Sequence, residues 1–217
     1  MQINSCIDHT LLNPLACEEE IQKLCQETIQ YDFKAVCIHP KWVSSASFYL
    51  RQTGYNVATV ADFPFGASPH LVRLKQIEHF ILEGANEIDL VAPLDRIKAG
   101  DWSSLFQDIR AIKQLIGTRG FFKVIIEVSL FNEEQIIKAS ETCAQAGAQM
   151  IKTSTGILNT RPTQIKDIEL IKEGLRDFPD IQIKASAGIK TKQQALEFIK
   201  AGVQRIGTSS ALNLISD

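Results

Sequence analysis

The sequence lacks both an excess of basic residues and a long apolar run. It has 23 lysines and arginines against 25 aspartates and glutamates, a formal net charge of -2 at pH 7. A protein that binds nucleic acid or an anionic membrane surface generally needs a basic segment, so this balance argues against both partners. No window reaches the ~18 consecutive apolar residues of a membrane span, and the first residues do not resemble a secretory signal. We therefore expect a cytoplasmic protein with neither nucleic acid nor membrane as a partner.

Disulfide and metal-binding signatures are also missing. The five cysteines are odd in number and include no C-x-x-C pair, which favours reduced thiols. The four histidines have no paired spacing of the kind that metal ligands show, so we predict no metal site.

The sequence does contain a regular alternation of short β-branched runs and longer amphipathic stretches. Its 217 residues are 45% hydrophobic, enough for one substantial core, so we predict a single domain over residues 1–217. The short runs predict strands, at residues 7–11, 34–38, 56–61, 87–91, 123–128, 149–153, 181–185 and 203–207. The amphipathic stretches predict helices, at residues 17–31, 69–83, 103–116, 133–146 and 192–201.

Three glycines occupy the same place in this alternation. Gly84, Gly147 and Gly202 each follow a predicted helix and open the next strand region. Glycine readily takes the left-handed conformation that ends a helix, and about five strand residues at ~3.3 Å each then cross a barrel. About eight strands, each followed by a helix, predict an α/β fold, a single (β/α)8 TIM barrel. A doubly wound open sheet is the alternative, but its usual G-x-G-x-x-G first turn is absent.

Two lysines lie next to the ends of neighbouring predicted strands, at the edge where barrel active sites form. If Ile151 and Ile183 face the helices, Lys152 and Lys184 point inward on strands ~4.8 Å apart. Two ammonium groups in a partly dry interior are costly, so one amine should be neutral near neutral pH. Such an amine is a nucleophile for a carbonyl carbon. The alternative is that either lysine simply pairs with a carboxylate or extends past the barrel rim.

Further polar residues lie within or directly after the other predicted strands. Asp89 can pair with a lysine or relay protons through water. Glu127 is expected to orient the lysines or to form a buried ion pair. Small residues in the segments 186–188 and 207–210 follow the last two strands, where barrels commonly bind phosphate through backbone N–H groups.

Several motifs together resemble those of the deoxyribose-phosphate aldolase family. They are Ile7-Asp8-His9-Thr10-Leu11-Leu12, Val36-Cys37-Ile38-His39-Pro40, Asn86-Glu87-Ile88-Asp89-Leu90-Val91, Ile151-Lys152-Thr153-Ser154-Thr155-Gly156, Ile183-Lys184-Ala185-Ser186 and Arg205-Ile206-Gly207-Thr208-Ser209-Ser210. The resemblance runs almost end to end. It implies a class I aldolase that uses no cofactor and interconverts 2-deoxy-D-ribose 5-phosphate with D-glyceraldehyde 3-phosphate and acetaldehyde, in deoxyribonucleoside breakdown.

The resemblance also implies site residues. Lys152 would form the Schiff base, Lys184 would favour its neutral form, and Asp89 would be the proton-transfer partner. Matches to the family's substrate pocket are Asp8, Thr10, Cys37 and Thr155. Matches to its phosphate-contacting loops are Gly156, Gly188, Gly207, Ser209 and Ser210, and Ala187 occupies a further position of these loops. The implied partners are a phosphosugar and aldehydes, and a homo-oligomer is compatible with the resemblance.

The chain departs from the family in its phosphate loops. The family usually reads Lys-Ala-Ser-Gly-Gly-Ile-Arg, whereas Ala187 and Lys190 here replace a glycine and the arginine. The segment 157–163 also lacks the usual glycine pair. A methyl group could hinder the approach of a phosphate, and lysine does not bind one in the bidentate way of arginine. Two other functions therefore stay open: a Schiff-base aldolase for a modified sugar phosphate, and a non-catalytic phosphosugar-binding barrel.

Overall fold

The computed structural model describes residues 3–216 and forms a closed barrel of parallel strands. Each strand pairs with the next along the chain, and β8 closes the barrel by pairing with β1. The strands are β1 Ile7–Leu11, β2 Ala35–Ile38, β3 Asn56–Ala61, β4 Glu87–Val91, β5 Phe121–Ile125, β6 Met150–Lys152, β7 Gln182–Ser186 and β8 Arg205–Thr208. The predicted TIM barrel is confirmed, and the open sheet is excluded by the β8–β1 pairing.

The helices lie between the strands in sequence. They are α1 Glu18–Gln30, α2 Val43–Leu50, α3 His70–Leu82, α4 Leu94–Ala99, α5 Trp102–Ile116, α6 Glu133–Gln145, α7 Ile165–Gly174, α8 Lys192–Lys200 and α9 Ala211–Ile215. Five of them match the predicted helices to within one residue at each end. The helices α2, α4, α7 and α9 were not predicted; three of these have eight residues or fewer, too few for a clear helical repeat. No helix formed by residues 3–216 is both long and apolar enough to span a membrane.

The strand predicted over 123–128 is the one whose limits were wrong by more than two residues. It begins at Phe121 and ends at Ile125. Glu127 ends the extended run because it adopts a left-handed conformation with φ 50° and ψ 61°. This conformation is sterically costly for a residue with a Cβ, and it redirects the chain after β5.

The repeated glycines have the predicted backbone conformation. Gly84, Gly147 and Gly202 follow α3, α6 and α8 with φ values of 107°, 102° and 99°. At Gly84 a Cβ atom would also lie 2.3 Å from the hydroxyl of Ser47 on α2. These helices therefore end where the sequence requires, and the following strands start at equivalent levels of the barrel.

The hydrophobic core lies between the barrel and the surrounding helices. The outward strand residues Ile151 and Ile183 belong to it, together with helix residues such as Ile109 and Ile168. Because side chains alternate along a strand, the neighbours of these isoleucines face the barrel interior. That interior holds a small apolar cluster of Cys37, Ala58 and Val60, and beside it an unusual concentration of charged side chains.

Candidate active site

The strand register places the two predicted lysines next to each other. Lys152 on β6 pairs with Lys184 on β7, and their neighbours Ile151 and Ile183 pair one step earlier. Both isoleucines are buried against the helices, so both lysines point into the barrel, as predicted. Lys152 is 3% exposed and Lys184 is fully buried.

Asp89 on β4 is the centre of the charged cluster. Its Oδ2 atom accepts hydrogen bonds from Lys152 Nζ at 2.9 Å and from Lys184 Nζ at 2.8 Å. Its Oδ1 atom accepts one from Lys123 Nζ, on β5, at 2.6 Å. One buried carboxylate therefore binds three lysines. The predicted contact between Asp89 and the lysines is present, and Lys123 is an addition that the sequence analysis did not identify.

A second set of charges surrounds this centre. Asp8 contacts both Lys184 and Arg205. Glu87 contacts Lys123 at 2.5 Å and Arg205 at 2.9 Å. All of these side chains are at least nine-tenths buried. Together the network contains three carboxylates and four basic groups.

The network fixes the ionisation of most of its members. Burial opposes ionisation of Asp89, but the adjacent ammonium groups outweigh it and hold the pKa of its carboxyl well below the usual value. The pKa of Asp8 falls to about 2, because Arg205, Lys184 and Lys123 together overcome the same desolvation. Burial by itself would lower the pKa of Lys184, yet Asp8 and Asp89 raise it above its ordinary value. Asp8, Asp89 and Lys184 are therefore charged at neutral pH.

A cavity of about 400 Å³ opens at the carboxyl ends of the strands. It is bounded by the segments that follow β1, β6, β7 and β8. Of the three lysines that contact Asp89, Lys152 is the one that lines it. The amine of Lys152 thus lies between the cavity and the buried charge network.

Most of the predicted binding residues line this cavity. They are Thr10, Thr155, Gly156, Ala187, Gly188, Gly207, Ser209 and Ser210. Asp8 and Cys37 do not line it. Asp8 lies in the ion network, while Cys37 is fully buried in the barrel interior, where burial raises the pKa of its thiol.

Glu127 contacts the segment after β6 and none of the lysines, so the expectation that it orients them or forms a buried ion pair was wrong. Its Oε2 atom accepts hydrogen bonds from the backbone N–H of Thr155 at 2.9 Å and from the Thr155 hydroxyl at 2.6 Å. The Thr155 hydroxyl oxygen in turn accepts the N–H groups of Ile157 and Leu158, each at 3.1 Å. Glu127 does not reach the lysines because its left-handed conformation moves the side chain out of the strand register. Glu127 therefore fixes one wall of the cavity.

The neighbouring part of the wall, at β7 and β8, depends on close approaches that require glycine. A Cβ atom on Gly188 would lie 2.7 Å from Cβ of Pro162, and one on Gly207 would lie 2.9 Å from Cε of Lys184. Within residues 3–216, the backbone N–H groups of Gly156, Gly188 and Ser209 donate to no protein acceptor. Unpaired N–H groups beside a cavity are suited to bind an anion.

Three charged residues of the site were not predicted from the sequence: Lys123, Glu87 and Arg205. Lys123 lies inside a short strand between apolar neighbours, and Glu87 and Arg205 each begin a short, largely apolar strand. Such a strand is expected to be buried, and a buried charge must find a partner of opposite sign. That expectation is the signal in the sequence that could have identified all three.

A second, larger cavity of about 650 Å³ lies beside α3, outside the barrel. Its buried guanidinium group, Arg73, is already bound by Asp108 and lies 3.5 Å from Asp62. Among residues 3–216, no group of three or more His, Cys, Asp or Glu side chains is arranged to hold a metal ion. The barrel mouth is therefore the site with a reactive group at its edge.

Comparisons with known proteins agree with this geometry. The model of the DeoC/LacD family of aldolases matches residues 4–214. The chain is 40% identical over 217 residues to a deoxyribose-phosphate aldolase of Mycoplasmopsis pulmonis, covering all of this chain and 97% of that protein. A solved structure titled QR15, an aldolase, superposes with a TM-score of 0.92 at 33% identity, over 99% of this chain and 94% of the other. A tetrameric deoxyribose phosphate aldolase from Aeropyrum pernix gives a TM-score of 0.89 at 28% identity, over 98% and 88% of the two chains.

Proposed function

The chain belongs to the DeoC/LacD family of aldolases, and we propose that it cleaves 2-deoxy-D-ribose 5-phosphate into D-glyceraldehyde 3-phosphate and acetaldehyde. The observation that carries the proposal is the pair Lys152 and Lys184, bound to one oxygen of Asp89 at the edge of a cavity with unpaired backbone N–H groups. The reaction would serve deoxyribonucleoside breakdown in the cytoplasm, the setting that the family resemblance implies.

A count of the charges supports Lys152 as the nucleophile. Four basic groups face three carboxylates, so a fully ionised network carries one excess positive charge. Lys184 contacts Asp8 and Asp89, and Lys123 contacts Glu87 and Asp89, whereas Lys152 contacts Asp89 alone. Lys152 therefore loses the fewest contacts with carboxylates when its proton leaves. It also lines the cavity, so its neutral amine meets the substrate.

The bond changes follow from amine chemistry. Lys152 Nζ attacks C1 of the open-chain sugar, water leaves, and an iminium ion forms. The hydroxyl on C3 gives its proton to a water molecule of the relay that Asp89 and Lys184 form, the C2–C3 bond breaks, and its electron pair moves into an enamine on C1 and C2. Carbons C3 to C5 depart as D-glyceraldehyde 3-phosphate. Protonation of C2 gives the iminium ion of acetaldehyde, and hydrolysis releases acetaldehyde and restores the amine.

Asp89 and Lys184 support these steps. The Asp89 carboxylate stays ionised, so it stabilises the cationic iminium. It is protonated only transiently during proton transfer. Lys184 stays protonated between two carboxylates and supplies the positive charge that disfavours a second ammonium at Lys152. We assign the protonation of C2 to a relay of Lys184, Asp89 and water.

The phosphate would bind at the cavity wall formed by the segments after β6, β7 and β8. Gly156, Gly188 and Ser209 offer backbone N–H groups there, and Lys190 adds a positive charge at the rim. Ala187 has φ 77° at a position where the family usually has glycine. This departure favours, as a second candidate, an aldolase for a differently substituted sugar phosphate. A side-by-side measurement of kcat/KM on deoxyribose 5-phosphate and other sugar phosphates separates the two.

We also expect a homo-oligomer, since the Aeropyrum pernix relative is described as tetrameric.

Reductive trapping tests the proposal. Acetaldehyde and borohydride should place an ethyl group on Lys152, identified by peptide mass mapping, because the iminium ion forms at this amine. Lys152→Leu should abolish both the label and the cleavage. An exposed lysine such as Lys23 is the internal control and should stay unlabelled at the same borohydride dose. Stoichiometric labelling at Lys184, or ordinary cleavage by Lys152→Leu, would overturn the assignment.

A further inference from the structure

The segment between β6 and α7 contains an ion pair that does not line the cavity at the barrel mouth. Arg161 donates two hydrogen bonds to Asp167, from Nη1 to Oδ2 at 2.8 Å and from Nη2 to Oδ1 at 2.7 Å. Asp167 is on the first turn of α7 and is 1% exposed, and its Oδ2 atom also accepts the backbone N–H of Gln164 at 2.8 Å. A bidentate pair fixes both the distance and the orientation of the groups it joins. The loop from Arg161 to Asp167 is therefore held closed.

Two residues inside this closed loop contact the segment after β7 that lines the cavity. Thr163 donates its backbone N–H to the carbonyl oxygen of Ala187 at 3.1 Å, and its hydroxyl to the carbonyl oxygen of Ser186 at 2.5 Å. Pro162 lies so close to Gly188 that a Cβ atom on this glycine would be 2.7 Å from Cβ of Pro162. Neither Pro162 nor Thr163 lines the cavity, so both support the segment from its other side.

The two hydrogen bonds from Thr163 determine where the next N–H groups point. A peptide unit is planar and trans, so its N–H points opposite to its C=O. The carbonyl of Ser186 shares a peptide unit with the N–H of Ala187, and the carbonyl of Ala187 shares one with the N–H of Gly188. Because both carbonyls point toward Thr163, both N–H groups point away from it, on the side of the cavity. Within residues 3–216 neither N–H donates to a protein acceptor, so both are free to bind an anion.

We propose that Arg161 and Asp167 are positioning residues for phosphate binding. Their ion pair keeps Thr163 in place, and Thr163 in turn aims the N–H groups of Ala187 and Gly188 at the anion. This role rests on the proposed aldolase function for the identity of the sugar phosphate, whereas inorganic phosphate should bind to the same N–H groups in any case.

Binding of inorganic phosphate to the full chain, followed by a phosphorus NMR titration, tests this role without using turnover. Arg161→Met removes the ion pair and should raise the dissociation constant by about tenfold, because the two N–H groups are no longer held toward one point. Arg161→Lys keeps the charge without the bidentate geometry and should give an intermediate value. Arg96→Met is the matched control. Arg96 donates to Asp101 at the start of α5 at 2.9 Å, and neither residue lines the cavity, so this variant should keep the parent's value.

The double variant Arg161→Met/Asp167→Asn separates positioning from stability. Arg161→Met leaves a buried carboxylate without its cation, which should lower Tm, and the added Asp167→Asn should recover much of that loss. The phosphate dissociation constant of the double variant should nevertheless stay raised. KM for deoxyribose 5-phosphate should rise by a similar factor, while kcat and the KM for unphosphorylated deoxyribose stay near the parent's values, because Lys152 and its partners are unchanged.

Three results would overturn the positioning role. They are a parent chain that does not bind inorganic phosphate, an Arg161→Met variant with the parent's dissociation constant, and a double variant that recovers phosphate affinity together with Tm. In the last case the ion pair would act through stability alone. A chain that shows the expected affinity changes but forms no Schiff base with acetaldehyde would uphold the positioning role and refute the aldolase function.

Discussion

Lys152 of β6 and Lys184 of β7 are register partners whose amines reach one and the same carboxylate oxygen. Their surroundings differ, since Lys184 is enclosed between two carboxylates while Lys152 meets one and borders the cavity. We therefore propose different tasks for two identical side chains on adjacent strands: Lys184 carries a buried positive charge, and Lys152 reacts with the substrate.

Removing the second positive charge should move the pH dependence of the reaction. In Lys184→Leu the ammonium form of Lys152 meets less repulsion, so less free amine is present at neutral pH. We expect kcat/KM to fall most near pH 7 and to recover in part at higher pH, so that the alkaline shift appears in a pH–rate profile. Lys23→Leu, on the surface, serves as the control. A Lys184→Leu profile of unchanged shape would count against the charge coupling.

The carboxylate at the centre should matter more for proton transfer than for bond formation with the substrate. In Asp89→Asn, exchange of the acetaldehyde methyl protons with solvent should slow by about 100-fold or more, because the relay loses its ionised member. Trapping of acetaldehyde on Lys152 by borohydride should persist. Exchange followed by proton NMR in deuterated water gives the rate, and exchange at the parent's rate would remove Asp89 from the relay.

Lys123 is expected to act as a positioning residue. It is fully buried and binds the Asp89 oxygen that the other two lysines do not use. Lys123→Met leaves Asp89 and Glu87 short of a counter-charge, which should destabilise the fold by about 3–5 kcal/mol. Lys123→Met/Glu87→Gln removes one charge of each sign and should recover much of that loss.

The double variant separates stability from catalysis. If Lys123 orients Asp89, Lys123→Met/Glu87→Gln folds but keeps a reduced kcat with a nearly unchanged KM, because the phosphate contacts are untouched. Urea unfolding and steady-state kinetics provide the two readings. A double variant with the parent's kcat would limit Lys123 to a structural role.

The sequence predicted those parts of the site that depend on repeated patterns, namely the glycines after helices and the alternation of side chains along strands. Gly84, Gly147 and Gly202 fixed the starts of three strands, and strand alternation then turned Lys152 and Lys184 inward. The limits of β5 could not be predicted in this way, since nothing in the local residue types announces a left-handed conformation at Glu127. The partners of that side chain are set by tertiary packing around Thr155, which periodicity does not describe.

The ion network was partly predictable for a different reason. Asp89 and the two lysines were identified from motifs expected at strand ends, but only Lys152 ends its strand; Asp89 and Lys184 lie at the middle of theirs, as Lys123 does, and Arg205 begins β8. A charged residue inside a buried strand must be paired, but its partner comes from whichever strand the closed barrel brings across. Arg205 and Asp8 are 197 residues apart along the chain. Barrel closure alone brings them into contact.

The backbone at Ala187 leads to a prediction about both stability and substrate binding. Its φ of 77° is in the left-handed region, which costs a residue with a Cβ about 1 kcal/mol relative to glycine. Ala187→Gly should therefore raise the free energy of unfolding by about 1 kcal/mol and Tm by about 2–4 °C. We expect KM for deoxyribose 5-phosphate to change by less than about twofold, because Gly188 already supplies the close backbone approach.

The matched variant is Gly188→Ala, which has a similar φ of 86° but meets Pro162. It should lower Tm and raise KM for the phosphorylated sugar, because either the phosphate wall or Pro162 must move. KM for unphosphorylated deoxyribose should stay the same in both variants, since that sugar lacks the group the wall binds. A fall of KM for deoxyribose 5-phosphate in Ala187→Gly, with deoxyribose unaffected, would instead show that the Ala187 methyl crowds the anion. If the parent does not distinguish the two sugars, the phosphate assignment of this wall is wrong.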